Sequence, residues 1–378
     1  MTRLSLEQAN AWRLRRHYLS RKATKKELPK VVSDVCGIQA QVLSAAELGI
    51  RARVEGLSQQ DVRDALWKSH TIVKTWCMRG TLHILASTDL PLYVAALRSK
   101  QPEFIRWLQK NGGVTPAEVS SITDGIRDAL SNKLLTREEL SREVAQRAKL
   151  KPKTKKYLMS AWGVLLRPAA FEGQLAFGES LGPKVRFVNP TDWIVPWKEP
   201  STKDAFLELF RRYLRSYGPI AVKDFGHWWG NLSEHEKSDL GSFVRELEPV
   251  ELDGFRGLML KSDAKETSNL EPASGVHLLP SFDCYVMFNS PRELFISGTH
   301  RNMVFRKEAG WVFPALVVDG RAAGVWSFKR RSRGILIEVE PFRNLKPREK
   351  EGVRSEAIDI ARFLGTSAEV RYGPIGPV

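Results

Sequence analysis

Residues 36–47 read CGIQAQVLSAAE, and two neutral amides, Gln39 and Gln41, flank Ala40 within them. A glutamine offers one carbonyl acceptor and two N–H donors. It can hold a water molecule but cannot serve as a strong base. Whether two of them act on one point depends on the backbone. On a helix, side chains two residues apart point about 200° apart, because each residue turns by about 100°. In extended chain they point the same way. A two-amide clamp therefore requires a non-helical segment. The plainer use of the pair is to satisfy backbone groups at a helix junction.

A second stretch, TWCMRGTLHIL (75–85), reads as a β-like segment after the helix QQDVRDALWKS. Gly80 allows close approach of backbone to a ligand. Arg79 can contact a phosphate, and His83 a phosphate or a base. The plainer reading makes Arg79 a local ion-pair partner and His83 a satisfied core histidine.

The elements that position these residues follow from apolar spacing and capping. Residues 25–38 read as a helix with Leu28, Val31, Val32, Val35 and Ile38 inward. The next helix is expected to start at a capping box, Ser44–Glu47. Gln39 and Gln41 then lie in the connection. Further boxes, Ser5–Gln8, Thr136–Glu139 and Ser233–Glu236, open helices elsewhere. Residues 171–189 and 250–260 read as hairpins, the second turning at Asp-Gly. Residues 312–342 read as three antiparallel strands with a turn at Asp319-Gly320, and a last helix runs from Pro347 to Phe363. The order helix, helix, helix, hairpin occurs twice, near 117–189 and 203–261. That is the order of a winged-helix module. The third helix of the first copy, 153–167, carries Lys153, Lys155 and Lys156 at its start, where a recognition helix meets DNA.

Charge points the same way. Lys plus Arg number 59 against 43 Asp plus Glu, a formal net charge of +16. The excess gathers in three acid-free runs, RLRRHYLSRKATKK (13–26), KLKPKTKKY (149–157) and FKRRSRGI (328–335). A polyanion is the natural partner, and nucleic acid its commonest form; a generically basic surface is the bland alternative. The three cysteines, Cys36, Cys77 and Cys284, form no CxxC, and the seven histidines form no HExxH, so a zinc finger or an iron–sulfur cluster is not expected. No apolar run is long enough to span a bilayer. The N-terminus MTRLSLEQANAW lacks the apolar core of a secretory signal, which leaves the cytoplasm as the expected compartment.

GIQAQ (37–41), RGTLH (79–83), RRYLRSYGPIAVKDFGHWWG (211–230) and HLLPSFDCYV (277–286) together resemble the winged-helix DNA glycosylases of the AlkZ and YcaQ type, in family order over nearly the whole chain. The resemblance implies an α+β, mainly helical fold of tandem winged helices around a basic DNA channel, with a β-rich C-terminal part. The implied regions are 1–116, carrying the Gln-x-Gln and RGTLH motifs; winged helices at 117–200 and 201–265; and 266–378, β-rich with the final helix. It implies excision of N7-alkylated purines, including bulky adducts and interstrand crosslinks, from double-stranded DNA by a monomer without a cofactor. Gln39 and Gln41 match the catalytic Gln-x-Gln of one branch; the sister branch has Asp at the second position. The residues expected on DNA are Arg79, Thr81, His83, Lys153, Lys155, Lys156, Arg330 and Arg331. The rival reading is a DNA-binding regulator without chemistry.

Overall fold

The computed structural model describes residues 2–160, 162–267, 270–306 and 310–375. Internal contacts gather the chain into two compact units, Met1–Val62 with Phe210–Val378, and Arg63–Leu209.

The second unit holds a complete winged helix. Helices Pro116–Leu130, Arg137–Arg147 and Pro152–Leu158 precede the hairpin Ala176–Leu181 and Lys184–Val188. The short strand Leu135–Thr136 pairs with the hairpin, Leu135 opposite Phe187 and Thr136 opposite Arg186. Thr115 and Thr136 cap the first two helices, each side chain accepting from the glutamate N–H three residues on. A further hairpin, Ile72–Trp76 with Leu82–Ala86, extends the sheet through Lys74 opposite Phe177. The expected single helix over 153–167 is absent. The chain leaves the helix at Leu158, turns, and resumes at Arg167–Phe171. Gly163 at φ +60° marks the break, and a Cβ there would lie 2.4 Å from the Trp76 ring.

The second winged helix has the same order: Thr202–Tyr217, Val222–Trp229 and Glu234–Gly241, then Leu247–Leu252 paired with Phe255–Leu260. The bridge between Ile220 and Leu258 stands where the first copy has its short strand. Asp253 and Gly254 both take positive φ at the hairpin turn, as an Asp-Gly turn demands. Thr2–Leu4 adds a parallel strand to this wing.

The C-terminal part is a five-stranded sheet in the order Val276–Leu279, Ala315–Val318, Arg321–Arg330, Ile335–Pro341, Ala368–Tyr372. Asp319-Gly320 makes the expected turn, and the final helix is Pro347–Phe363. Leu14 and Leu19 share a core with Leu279, Tyr285, Val317 and Val325, so the first helix and this sheet bury one another. Among the described residues no helix is long and apolar enough to cross a membrane.

Candidate active site

The helix that leads into the glutamines is Leu28–Asp34, preceded by a 3-10 turn at Lys25–Glu27. All five residues expected inward, Leu28 to Ile38, are buried. The helix stops earlier than the apolar spacing suggests because Cys36 and Gly37 take φ of 60° and 84°. The Gly37 N–H returns to the Val32 carbonyl at 2.9 Å, which closes the last turn. Ile38–Gln39 is then extended, and a bend follows at Gln41. The segment is therefore non-helical, the condition a two-amide clamp requires. Gln39 is 8 % exposed and so buried, whereas Gln41, at the bend, is exposed. The next helix, Leu43–Arg51, starts from Val42, so Ser44 is not its cap. Glu47, assigned to that capping box by sequence, is instead buried and accepts from Gln59 Nε2 at 2.5 Å.

Two distant tracts hold this segment from behind. From Thr202–Tyr217, the Tyr217 hydroxyl donates to the Val35 carbonyl at 2.9 Å and the Ser216 hydroxyl to the Asp34 carbonyl. Arg212 Nη1 donates to Ser33 Oγ at 3.2 Å. The last carbonyls of the Leu28–Asp34 helix, which no helical N–H can reach, are thus taken up by side chains. The Asp34 carboxylate accepts from Tyr18 and Lys30. From the HLLPSFDCYV tract, Asp283 forms a two-pronged pair with Arg53 at 2.7 and 2.8 Å, and Arg53 also donates to the Gly49 carbonyl at 2.8 Å. Burial alone would pull the Arg53 guanidinium down, but the Asp283 carboxylate more than offsets it and holds it above its ordinary value. Arg51, two residues nearer the glutamines, pairs with Glu356 and Asp359 of the final helix.

In the second unit, RGT forms a tight turn between Ile72–Trp76 and Leu82–Ala86. Arg79 stands at φ 58° and Gly80 at φ 65°. A Cβ on residue 80 would meet Arg167 Nη1 at 3.1 Å, so glycine serves both the backbone and the guanidinium beneath it. His83 is 2 % exposed. Its Nδ1 faces the Thr81 carbonyl at 3.0 Å and its Nε2 faces Arg79 Nη2 at 3.3 Å. The ring therefore carries its proton on Nδ1, and Nε2 accepts from Arg79. Burial, with the Arg79 charge adding to it, pulls the imidazole down to about 3. A neutral, enclosed His83 orients Arg79 rather than presenting a ring to a ligand. Thr81 Oγ1 donates to the Met78 carbonyl at 3.1 Å.

Lys153, Lys155 and Lys156 are exposed on Pro152–Leu158. Arg330 and Arg331 are exposed at the end of the hairpin joining Arg321–Arg330 to Ile335–Pro341. The run 13–26 is less available than its composition suggests. Arg13 is buried and donates to the carbonyls of Tyr217, Gly218, Pro219 and Ser290, while Lys22 and Lys25 pair with Asp359 and Asp61. Sequence reasoning passed over Arg167. Its Nε is buried without a hydrogen-bond partner, and burial holds the guanidinium below its ordinary value with only the Tyr157 phenol opposing. No sequence signal marks it, since its neighbour Gly80 is 87 positions away in a separate hairpin. All three cysteines are buried thiols outside any disulfide; burial pushes the Cys77 thiol up to about 12 and the Cys284 thiol to about 11. No group of His, Cys, Asp and Glu among the described residues is placed to hold a metal ion.

With this geometry in hand, similarity to known proteins is informative. The family model described as DNA glycosylase AlkZ-like matches residues 32–363. The chain is 32 % identical over 378 residues to a Streptomyces sahachiroi protein named interstrand DNA cross-link repair glycosylase, covering 96 % of this chain and 97 % of that one. It is also similar to the solved structure of Streptomyces sahachiroi DNA glycosylase AlkZ, with a TM-score of 0.86 at 30 % identity, covering 99 % of this chain and 100 % of the other.

Proposed function

The chain belongs to the AlkZ-like DNA glycosylase family, and from that premise we propose that it excises N7-alkylated purines, bulky adducts and interstrand crosslinks among them, from duplex DNA. An N7-alkylated purine is cationic and leaves as a neutral base. The electron pair of the C1′–N9 bond passes to the purine, so no general acid is required of the protein, unlike ordinary glycoside hydrolysis. What remains is to place a water against C1′ as positive charge grows on the sugar. The observation that carries this reading is the non-helical Gly37–Gln41 segment, which frees both amides from a helix and follows a helix end anchored by Ser216 and Tyr217.

Gln39 and Gln41 hold the water by their carbonyl oxygens, and Gln41 occupies the position of the sister branch's carboxylate. The water oxygen bonds to C1′ as the bond to N9 breaks, and its proton passes to solvent, because an amide cannot retain it. Products are the free base and an abasic site. Positioning supplies most of the rate. Arg79, braced by His83, binds a backbone phosphate, with Thr81 shaping the turn and Arg167 adding charge beneath Gly80. Lys153, Lys155 and Lys156, and separately Arg330 and Arg331, bind further phosphates. The enzyme acts as a monomer in the cytoplasm, and its modules divide near residues 116, 200 and 265.

The test is release of N7-methylguanine from alkylated duplex, with abasic sites counted on the same DNA. Release from alkylated but not unmodified duplex supports the proposal. No release, together with tight binding to one particular sequence, favours the regulator reading.

A further inference from the structure

The turn that interrupts the expected helix 153–167 presents an indole to solvent. Trp162 is 73 % exposed, the most exposed of the tryptophans among the described residues. The turn beneath it is built to stay in place. The Gly163 N–H donates to the Ser160 carbonyl at 3.0 Å, and Arg137 Nη1 donates to the same carbonyl at 2.8 Å. Leu166 N–H closes on Gly163 at 3.0 Å. The Trp76 ring lies against Gly163 so closely that no side chain fits there. Arg137 is itself stacked over Phe187, 5.4 Å from its centroid. So Ser160 and Gly163, on either side of Trp162, are anchored while its side chain is left outside.

The helix that precedes the indole in the chain is cationic. Lys155 and Lys156 precede the exposed Met159 by four and three residues and so share its helix face. Lys153 lies one turn earlier, and the run 149–157 contains no acid. A large exposed aromatic ring is unfavourable in water alone. On a chain whose preceding helix exposes three lysines, it is suited to a partner that offers phosphates to the cations and flat apolar faces to the ring. Nucleic acid offers both: its bases stack on aromatic side chains whatever their sequence, and apolar side chains inserted at a base step open the stack.

We propose that Trp162 is an aromatic wedge that stacks within the bases of bound duplex DNA while Lys153, Lys155 and Lys156 hold the flanking phosphates. The proposal rests on the chain acting on duplex DNA. It assigns Trp162 a neutral, stacking contribution, distinct from the electrostatic one of the lysines. The experiment compares wild type, Trp162→Ala, Trp162→Phe and the triple Lys153→Ala/Lys155→Ala/Lys156→Ala variant on a duplex carrying 2-aminopurine beside N7-methylguanine. Trp162→Ala should bind roughly 5- to 100-fold more weakly, the effect of losing one stacked base. Its salt dependence should match wild type, because an indole neutralises no phosphate. Trp162→Phe should recover most of the affinity. Wild type should raise 2-aminopurine fluorescence by unstacking it, and Trp162→Ala should not. The triple lysine variant should flatten the salt dependence. Circular dichroism and melting of Trp162→Ala should match wild type, since the side chain is largely exposed. Equal affinity and equal fluorescence change for Trp162→Ala and wild type would overturn the wedge while the lysine result leaves DNA binding intact. Loss of self-association in Trp162→Ala with DNA affinity unchanged would overturn it in favour of a second copy of the chain. Failure of wild type to bind duplex DNA would overturn both the wedge and the function on which it rests.

Discussion

Tyr217 is 182 residues from Val35, yet its hydroxyl fixes the carbonyl at the exit of the helix that delivers Gln39 and Gln41. Tyr217→Phe keeps the ring and deletes that one bond. Excision should fall about tenfold, short of the roughly hundredfold cost of a 1 Å misplacement, while affinity for DNA stays at the wild-type value. Single-turnover rates beside a binding titration separate the two; a fall in affinity with an unchanged rate would remove Tyr217 from positioning. Gln41→Asp should keep excising, since a carboxylate also stabilises the growing cation. The non-helical backbone under Gln39 and Gln41 was legible in the sequence because its signals are local. Its supports were not, because Ser216, Tyr217 and Asp283 meet the segment only through the fold. His83 was legible as a residue but not in its role, since burial and the Thr81 carbonyl, not its neighbours in sequence, decide which way the ring works.

Elements declare themselves where a local device is sufficient. The capping boxes at Ser5, Thr136 and Ser233 and the turns at Asp253-Gly254 and Asp319-Gly320 stand as spacing indicated. The box at Ser44 fails because Leu43 already belongs to the helix and Glu47 is drawn inward to Gln59. The expected helix 153–167 breaks where Gly163 takes a positive φ and packs against the Trp76 ring. Two substitutions test how elements are locked. Asp283→Ala leaves the Arg53 charge buried and alone, and should cost about 3–5 kcal/mol in denaturant unfolding; a loss below about 1 kcal/mol would mean the pair is not what holds the helix after the glutamines. Gly80→Ala forces a left-handed alanine, worth about 1–2 kcal/mol, and displaces Arg167. It should weaken DNA binding as well as stability; unchanged binding would take the RGT turn off the DNA.

Across the whole molecule, charge and protonation set the working range. Each phosphate contact contributes roughly −0.9 to the slope of log K against log salt, and Lys153, Lys155, Lys156, Arg330 and Arg331 are exposed for such contacts, whereas Arg13, Lys22 and Lys25 are engaged internally. Affinity for duplex DNA should therefore fall by orders of magnitude between low and moderate salt; a flat dependence would contradict the electrostatic interface. His17, His83 and His277 are all held below their ordinary value by burial. On unfolding they regain a value near 6.5, so the unfolded chain binds more protons below that pH. Their contribution to stability is complete above about pH 6.5 and is lost as pH falls, for His83 down to about 3. Melting temperature should drop across that window, and less steeply in His83→Gln; an unaltered slope would mean His83 is protonated in the fold. The central claim is that two neutral glutamines perform the excision without supplying the affinity. Single-turnover release of N7-methylguanine by wild type, Gln39→Ala and Gln41→Ala, with binding titrated in parallel, tests it most directly. Gln41→Ala should lose about a hundredfold or more in rate, Gln39→Ala somewhat less, and both should bind DNA as wild type does. Wild-type rates in both alanine variants would contradict the claim and reduce the pair to a helix junction.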